Sequence, residues 1–157
     1  MSSRNQIKMD PTEVAAYLAE QRTIQVATIG PRGRPHLAPL WYAVAGTDGD
    51  RPVLVTWTYA KSQKAANLRR LPQATVLVES GATYTELRGV SMECDVEVTD
   101  DYSRVLEIGT ALVDRYGPAY EADRATMLAA FEKQATKRVG LVLTATRVVT
   151  WDHSKMG

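Results

Sequence analysis

Residues 51–70 read RPVLVTWTYAKSQKAANLRR, and this stretch decides how the chain folds. Its first part, Pro52–Thr58, is rich in β-branched and aromatic residues, which predicts a strand. A short helix is predicted next, because Ser62 can cap its start and Pro72 stops it. A strand that leads at once into a short basic helix is therefore the unit from which the rest of the fold is built.

Outward from this stretch, β-rich runs recur in both directions and are separated by turn residues. Turns are predicted at Gly30–Gly33 and Gly46–Asp50, where glycine and aspartate or proline cluster. In Ser91–Thr99 apolar and polar residues alternate, which predicts a strand with one buried face. About six strands are predicted altogether. They are Thr23–Ile29, Pro35–Val44, Pro52–Thr58, Thr75–Glu79, Ser91–Thr99 and Arg138–Trp151.

Helices are predicted around these strands. Asp10 caps the first, with Pro11 at its first position and Glu13 completing a capping box. Asp100-Asp101 opens another helix, which Gly117-Pro118 ends. Apolar residues at helical spacing in this helix and the next are Val105, Ile108, Leu112 and Tyr116, then Met127, Leu128 and Phe131. These patterns predict one mostly β domain over residues 1–157, an antiparallel barrel with peripheral helices, whose residues 1–9 are flexible.

Composition excludes several classes of protein. The 157 residues carry 19 Lys and Arg against 18 Asp and Glu, so bulk charge does not favour nucleic-acid binding. No run approaches the roughly 18 apolar residues of a membrane helix, and a cytoplasmic protein is expected. Cys94 has no cysteine partner, and His36 and His153 do not complete a zinc site. Because Cys94 alternates with apolar neighbours, a buried and inert thiol is predicted.

The start of the predicted helix after residue 61 offers a place for a phosphate. A hydroxyl from Ser62, ammonium groups from Lys61 and Lys64, and unpaired backbone N–H groups would all favour an anion there. The alternative is that Ser62 only caps the helix beside a solvated basic face. Spacing alone favours this alternative, because capped basic helices are common.

Residues 36–42 read HLAPLWY and form a second stretch of interest. Pro39 removes a ladder hydrogen bond, so it marks an edge, a bulge or a contact with a ligand. Trp41 and Tyr42 point to opposite faces of the predicted strand. One of them is expected in the core and the other in a pocket or interface, with plain packing as the alternative for each.

Polar residues elsewhere give weaker candidates. Tyr84, Glu86 and Arg88 are predicted to share a strand face, where a Glu-Arg pair or a substrate contact would fit. The acidic side chains of Ser91–Thr99 could bind a cation, but an exposed strand face explains them better. These side chains are Glu93, Asp95 and Glu97.

Several motifs together resemble the split β-barrel flavin and deazaflavin oxidoreductases that are related to pyridoxamine phosphate oxidase. The similarity covers the chain from Val14 to Glu97, with Arg138–Trp151 as the matching last strand. It rests on four segments, Gly33–Tyr42 (GRPHLAPLWY), Lys61–Lys64 (KSQK), Asn67–Pro72 (NLRRLP) and Tyr84–Val90 (YTELRGV).

The resemblance implies an FMN-binding type of split barrel that forms a homodimer. Asn67–Pro72 and Tyr84–Val90 are most similar to the branch that uses the deazaflavin coenzyme F-420, which is common in actinobacteria. Gln63 departs from the oxidases, which usually carry an arginine there, and the C-terminal vitamin-binding segment of the oxidases is absent. Oxidation of pyridoxamine phosphate is therefore not expected.

Carried over residue by residue, the resemblance implies a coenzyme site. Ser62 and Lys64, with Lys61 and Gln63 nearby, would hold the coenzyme phosphate. Along the ring would lie Pro39, Leu40 and Trp41, and at the ring and ribityl chain Val55, Thr56, Trp57 and Thr58. Asn67 is a further implied contact, although it could equally bind the preceding helical turn, and Arg69 and Arg70 could meet an acidic tail. Because the family's coenzyme lies between subunits, Lys137, Arg138 and Trp151 would reach the partner's site.

The activity that follows from this resemblance is hydride transfer from reduced F-420 to an unsaturated or otherwise reducible small molecule. No catalytic residue is assigned, because the coenzyme would supply the chemistry. An FMN-binding oxidoreductase of the same fold is the nearest alternative. A carrier of F-420, a tetrapyrrole or a lipid, and a dimeric interaction protein with an empty cleft, are two further alternatives.

Overall fold

A computed structural model describes residues 3–117 and 122–156 of the chain. Its helices are α1 (Ser3–Gln6), α2 (Pro11–Glu20), α3 (Gln63–Arg70), α4 (Tyr102–Tyr116) and α5 (Arg124–Ala135). Its strands are β1 (Thr23–Ile29), β2 (Pro35–Trp41), β3 (Ala43–Asp48), β4 (Arg51–Tyr59), β5 (Gln73–Ser80), β6 (Arg88–Thr99) and β7 (Arg138–Asp152). The predicted end of α4 at Gly117-Pro118 is described as far as Gly117, and Pro118 lies outside the described residues.

The strands form one antiparallel sheet with the order β2-β1-β5-β6-β7-β4-β3. The two edge strands, β2 and β3, are consecutive in the chain, and only Tyr42 lies between them. The sheet must therefore curl until its edges approach each other at Tyr42, which gives a barrel. The predicted fold, a mostly β antiparallel barrel with peripheral helices, is confirmed.

Two apolar cores hold the barrel and its helices together. The first fills the barrel, and α2 and α3 close it with Leu18 and Leu68, both fully buried. The predicted capping box fixes the start of α2, because the Glu13 backbone N–H donates to Asp10 Oδ1 (2.8 Å) and the Asp10 N–H donates to Glu13 Oε2 (2.7 Å). The second core packs α4 and α5 on the outer face of β4, with Trp57 at its centre.

Two predicted boundaries around β2 and β3 are wrong. The expected strand Pro35–Val44 is interrupted at Tyr42, whose backbone N–H donates to the Tyr116 hydroxyl (3.1 Å) instead of to a neighbouring strand. The expected turn Gly46–Asp50 is shorter, because β3 continues to Asp48. Gly46 has a φ of 129° beside a register shift, so the turn signal at this glycine marks a bulge within the strand.

The predicted strand face shared by Tyr84, Glu86 and Arg88 is also wrong. Residues Tyr84–Glu86 form a single 3-10 turn, and only Arg88 lies in β6. The Glu86 carboxylate accepts the backbone N–H of Thr83 (3.1 Å) and thereby closes the turn. An alternating sequence therefore forms a turn here, because a local side chain satisfies the backbone in place of a neighbouring strand.

Two further β6 predictions, a buried thiol and an exposed acidic face, agree with the structure. Cys94 is buried at 3% exposure, and burial raises the pKa of its thiol to about 12. The acidic face opposite is exposed, and the described residues contain no cluster of three or more His, Cys, Asp or Glu side chains suited to a metal ion. Among residues 3–117 and 122–156, no helix is both long and apolar enough to cross a bilayer.

Candidate functional site

A cleft of about 450 Å³ opens where the end of β2, the middle of β4 and the α4–α5 pair meet. Five of its ten described lining residues are contacts that the resemblance implied for this chain's own site, and a sixth, Arg138, was expected to reach the partner's site. The fold thus brings together segments that are far apart in sequence. These ten residues are Pro39, Leu40, Trp41, Thr56, Trp57, Leu112, Met127, Phe131, Gln134 and Arg138.

Aromatic rings form two sides of the cleft. Trp41 stacks on Tyr116, with ring centroids 4.6 Å apart and planes inclined by 5°. Trp57 stacks on Phe131 of α5 at 5.0 Å. Helix α4 also packs closely against β4, because Gly109 of α4 faces Trp57. A Cβ at that position would lie 2.6 Å from Trp57 Cζ3. The cleft therefore offers flat apolar surfaces of the kind that a planar ligand ring requires.

Trp41 and Tyr42 take the two different places that the sequence predicted, one in the core and one in a pocket, although the strand is interrupted at Tyr42. Tyr42 is fully buried and donates from its hydroxyl to Leu18 O (2.5 Å). Trp41 is 40% exposed and lines the cleft, and its carbonyl accepts a hydrogen bond from Thr56 Oγ1 (2.5 Å). This last bond ties β2 to β4 across the floor of the cleft.

The start of α3, just after β4, has the Ser62 helix cap and the neighbouring lysines, which the sequence left open as two alternatives. Ser62 caps α3, because its Oγ accepts the backbone N–H of Ala65 (3.1 Å), and Thr58 Oγ1 lies 3.3 Å from it. The cap uses only a lone pair of the hydroxyl, so the Ser62 O–H can still donate to an anion. Whether an anion binds there then depends on the positive charge of the basic side chains beside it. Lys61 is exposed there and Lys64 is partly buried.

Arg138 lines the cleft, since β7 pairs with β4 and places Arg138 opposite Tyr59, and its charge acts on Lys64 of α3. Burial lowers the pKa of Lys64, and the positive charge of Arg138 lowers it further. Burial also lowers the pKa of the Arg138 guanidinium. Neither side chain forms an ion pair with a carboxylate of the described residues.

Arg138 is only partly satisfied by its surroundings. Its guanidinium lies 3.9 Å from the Tyr59 ring centroid and 5.1 Å from that of Trp57. One nitrogen, Nη2, donates to Gln134 Oε1 (2.9 Å), but the buried Nε has no hydrogen-bond partner among the described residues. Two adjacent cations and an unused donor make this rim an energetically favourable place for an anion.

Three implied contacts are buried under the site. Asn67 is fully buried, donates to Thr28 Oγ1 (3.0 Å) and accepts from Gln63 Nε2 (2.8 Å). Val55 and Thr58 are 5% and 3% exposed. Asn67 is thus a buried support that orients Gln63.

The outlying basic residues are tied to the backbone or lie apart from the cleft. Arg69 donates to Ala60 O (2.9 Å) and Arg70 donates to Ile29 O, and both side chains are exposed. Lys137 is exposed, and its carbonyl accepts the Ala60 N–H (2.9 Å). Trp151 covers Gly89, where a Cβ would lie 2.1 Å from its ring, and it does not line the cleft.

Sequence reasoning did not assign the α4–α5 contribution to the cleft. Leu112, Met127 and Phe131 were expected as packing residues, and Gln134 and Tyr116 had no assigned role at the site. The one available signal was the presence of Leu112, Met127 and Phe131 themselves, because a helix that faces only solvent does not need large apolar side chains.

Comparison with known proteins gave a family match over nearly all of the chain. The family described as Pyridoxamine 5'-phosphate oxidase matches residues 10–152. No curated protein sequence matches the chain.

Solved structures show the same architecture. A conserved hypothetical protein of Mycobacterium tuberculosis is 38% identical, with a TM-score of 0.84 over 100% of this chain and 93% of that chain. An F-420 reductase is 23% identical, with a TM-score of 0.63 over 85% and 93%. The heme storage protein HutZ of Vibrio cholerae is 13% identical, with a TM-score of 0.68 over 91% and 96%. The last two are similar in fold alone.

Proposed function

This chain belongs to the pyridoxamine 5'-phosphate oxidase family, and from that premise we propose that it is an oxidoreductase that uses the deazaflavin coenzyme F-420. In this proposal the cleft binds the coenzyme, and the protein transfers a hydride from its reduced form to an unsaturated organic substrate. The assignment of motifs to the F-420 branch and the chemistry of the cleft support it.

The observation that carries the proposal is the buried, unpartnered Nε of Arg138 beside an aromatic cleft, together with the positive charge of Lys64, on which Arg138 acts. Two cations that are partly withdrawn from water, and that have no carboxylate partner among the described residues, raise the free energy of the unliganded protein. A phosphate removes that cost, because it accepts charge-assisted hydrogen bonds from both. A ligand with a phosphate at one end and a flat ring at the other therefore fits.

The residues of the cleft would divide the work of holding such a coenzyme. Lys64 and Arg138 would bind the phosphate, with Lys61 and Gln63 at the edge of the rim. Pro39, Leu40 and Trp41 would lie along the ring, and Trp57 with Phe131 would form an apolar wall that excludes water. When bound, the deazaflavin supplies the hydride, so the chain has to position the two reactants rather than provide an acid or base.

A homodimer is part of the proposal. The outer face of edge strand β2 exposes apolar side chains in a row, with Leu37 at 65% and Trp41 at 40% exposure. Exposed apolar edges are unfavourable in a monomer and are commonly covered by a partner. Since Trp41 belongs both to this face and to the cleft, a second subunit seated there would complete the walls of the site.

An FMN-binding oxidoreductase is the closest alternative, since FMN also combines a tricyclic ring with a phosphate. The basic side chains at and beyond the rim favour F-420, because its acidic tail needs additional cations. Lys61 is exposed just before α3, and Arg69 is exposed in the last turn of that helix. A heme carrier has less support, because no histidine or cysteine is among the described residues that line the cleft.

The test is a pair of fluorescence titrations of the purified protein, one with F-420 and one with FMN, at moderate salt. Preferential binding of F-420, followed by oxidation of reduced F-420 in the presence of a reducible substrate, is expected. Preferential binding of FMN would move the protein to the flavin group. Stoichiometric F-420 binding with no turnover across a broad substrate screen would instead favour a carrier.

A further inference from the structure

A second cleft, of about 590 Å³, lies at the other end of β4 from the coenzyme rim. Its lining includes Arg51 and Pro52 at the start of β4, whereas Tyr59 at the end of the strand lies beside Arg138. A strand of this length spans roughly 25 Å at about 3.3 Å per residue. The second cleft is therefore separate from the coenzyme cleft of the same chain.

The N-terminal segment forms one wall of this cleft because it is fastened to β7. The backbone N–H of Asp152 donates to Ile7 O (2.7 Å), and the Met9 N–H donates to Thr150 Oγ1 (2.9 Å). Lys155 Nζ donates to Lys8 O (2.7 Å). These bonds bring residues before α2 onto the last strand and hold the wall in place without any ligand.

The floor of the second cleft is apolar. Pro11, Val148 and Val149 are exposed or partly exposed there, above Met9 and Val14, which are 8% and 5% exposed and belong to the first core. Such a floor favours the hydrocarbon part of a ligand, since binding there removes apolar surface from water. A simple inorganic anion would leave most of the cleft filled with water.

The rim of the second cleft is basic. Arg4, Lys8, Arg51 and Arg147 line it, against a single carboxylate from Asp50. Arg4 and Lys8 form no ion pair among the described residues. An anion placed at this rim would therefore meet an excess of positive charge.

The other two arginines have carboxylate partners outside the cleft. Arg51 lies 2.9 Å from Asp48, and Arg147 lies 3.2 Å from Glu93, with all four side chains about half exposed or more. Exposed pairs of this kind are weak, so both arginines still contribute to the positive potential at the rim.

We propose that this cleft is a second ligand site, which binds an organic anion with an apolar body. The anionic group would lie between Arg4 and Lys8, and the body would cover Pro11, Val148 and Val149, next to Met9. This inference does not depend on the identity of the coenzyme in the first cleft, because it uses none of the residues there.

The proposal can be tested with a matched pair of fluorescent probes. The first, 8-anilinonaphthalene-1-sulfonate, has an aromatic body and a sulfonate; the second, N-phenyl-1-naphthylamine, has the same body without the charge. In the double variant Arg4→Ala/Lys8→Ala, we expect the sulfonate to bind at least about fivefold more weakly and the neutral probe to change less than about twofold. The matched control is Arg32→Ala/Arg34→Ala, which removes the same charge from an exposed turn.

Methionine-methyl NMR of the wild-type protein shows which cleft the sulfonate enters. Met9 lies in the second cleft and Met127 in the first, so each methyl resonance reports on one of them. A saturable shift of Met9 with no shift of Met127 is expected. A saturable shift of Met127 alone, or equal weakening of sulfonate binding by the control variant, would overturn the proposal.

Discussion

Arg115 and Arg138 each place a guanidinium over two aromatic rings, but the regions around them differ in hydrogen bonding and charge. Arg115 lies over Tyr42 and Tyr116, at 4.2 and 5.6 Å from the ring centroids. It also donates to Leu18 O (2.7 Å) and Gln21 O (2.5 Å) at the end of α2. Arg138 makes one hydrogen bond to the side chain of Gln134 and faces another cation, Lys64.

The difference separates a structural cation from one that is available to a ligand. The last carbonyls of a helix need donors, and Arg115 supplies them where the helix dipole also favours a positive charge. Tyr116 extends the same network, because its hydroxyl donates to Arg22 O (2.6 Å) or Tyr42 O (2.9 Å). No comparable set of acceptors surrounds Arg138 among the described residues, so its donors and charge are left for an anion.

The strongest test of this comparison is the substitution Arg115→Met. It keeps the apolar stem but removes the guanidinium bonds to Leu18 O and Gln21 O, so that the Tyr42 hydroxyl alone remains as their side-chain donor, and we expect a loss of about 2–4 kcal/mol in the free energy of unfolding. Urea unfolding followed by circular dichroism measures it. The paired variant Arg138→Met should change the same quantity by less than about 1 kcal/mol. Equal losses in the two variants would remove the distinction.

The next test is coenzyme affinity in Arg138→Met. Loss of a charge-assisted contact to phosphate should weaken F-420 binding at least about tenfold. Fluorescence titration measures the affinity, with Arg34→Ala as a control for the loss of one exposed charge. If Arg138→Met bound F-420 as the wild type does, Arg138 would have no role at the site.

A smaller effect is expected for Tyr116→Phe, which tests how the two regions are joined. The change removes the hydroxyl bonds to the backbone but keeps the ring on which Trp41 stacks. We expect about 1–2 kcal/mol lower stability and less than about a twofold change in coenzyme affinity. A large loss of affinity in this variant would show that the hydroxyl network, and not only the ring, holds the cleft.

The smallest expected effect is a pH dependence at Lys64. Its pKa is lowered by burial and by Arg138, so coenzyme affinity should fall as pH rises through that lowered pKa and the ammonium group is lost. Stability of the free protein should rise between the lowered pKa and 10.5, because there only the unfolded chain keeps the proton. In Arg138→Gln the midpoint of the affinity profile should move to higher pH. A midpoint that stays in place would show that the two charges do not interact.

Much of the local structure was predictable because short-range chemistry determines it. The capping box of Asp10 and Glu13 and the cap at Ser62 follow from residues three positions apart. The burial of Tyr42 beside an exposed Trp41 was also predicted, although the strand is interrupted at Tyr42. The family motifs added the overall architecture, which the sheet order confirms.

The rest depends on contacts between distant parts of the chain. Arg138 reaches Lys64 only because β7 pairs with β4, and no periodicity within either segment encodes that pairing. Phe131 reaches Trp57 because the α4–α5 pair folds back over the sheet. The prediction of a strand at Tyr84–Arg88 was wrong because it rested on polar side chains at every second position, which a turn can also contain. The hydrogen bonds of the Glu86 carboxylate form the turn, and the sequence pattern does not show them.

The central claim is that Lys64 and Arg138 bind the phosphate of the coenzyme. Its most direct test compares wild type and Arg138→Gln for affinity toward F-420 and toward the ribityl deazaflavin chromophore that lacks the phosphate and tail. The prediction is a loss of at least about tenfold for F-420 and less than about twofold for the chromophore. An equal loss for both ligands would contradict the assignment, because the effect of Arg138 would then not depend on a phosphate.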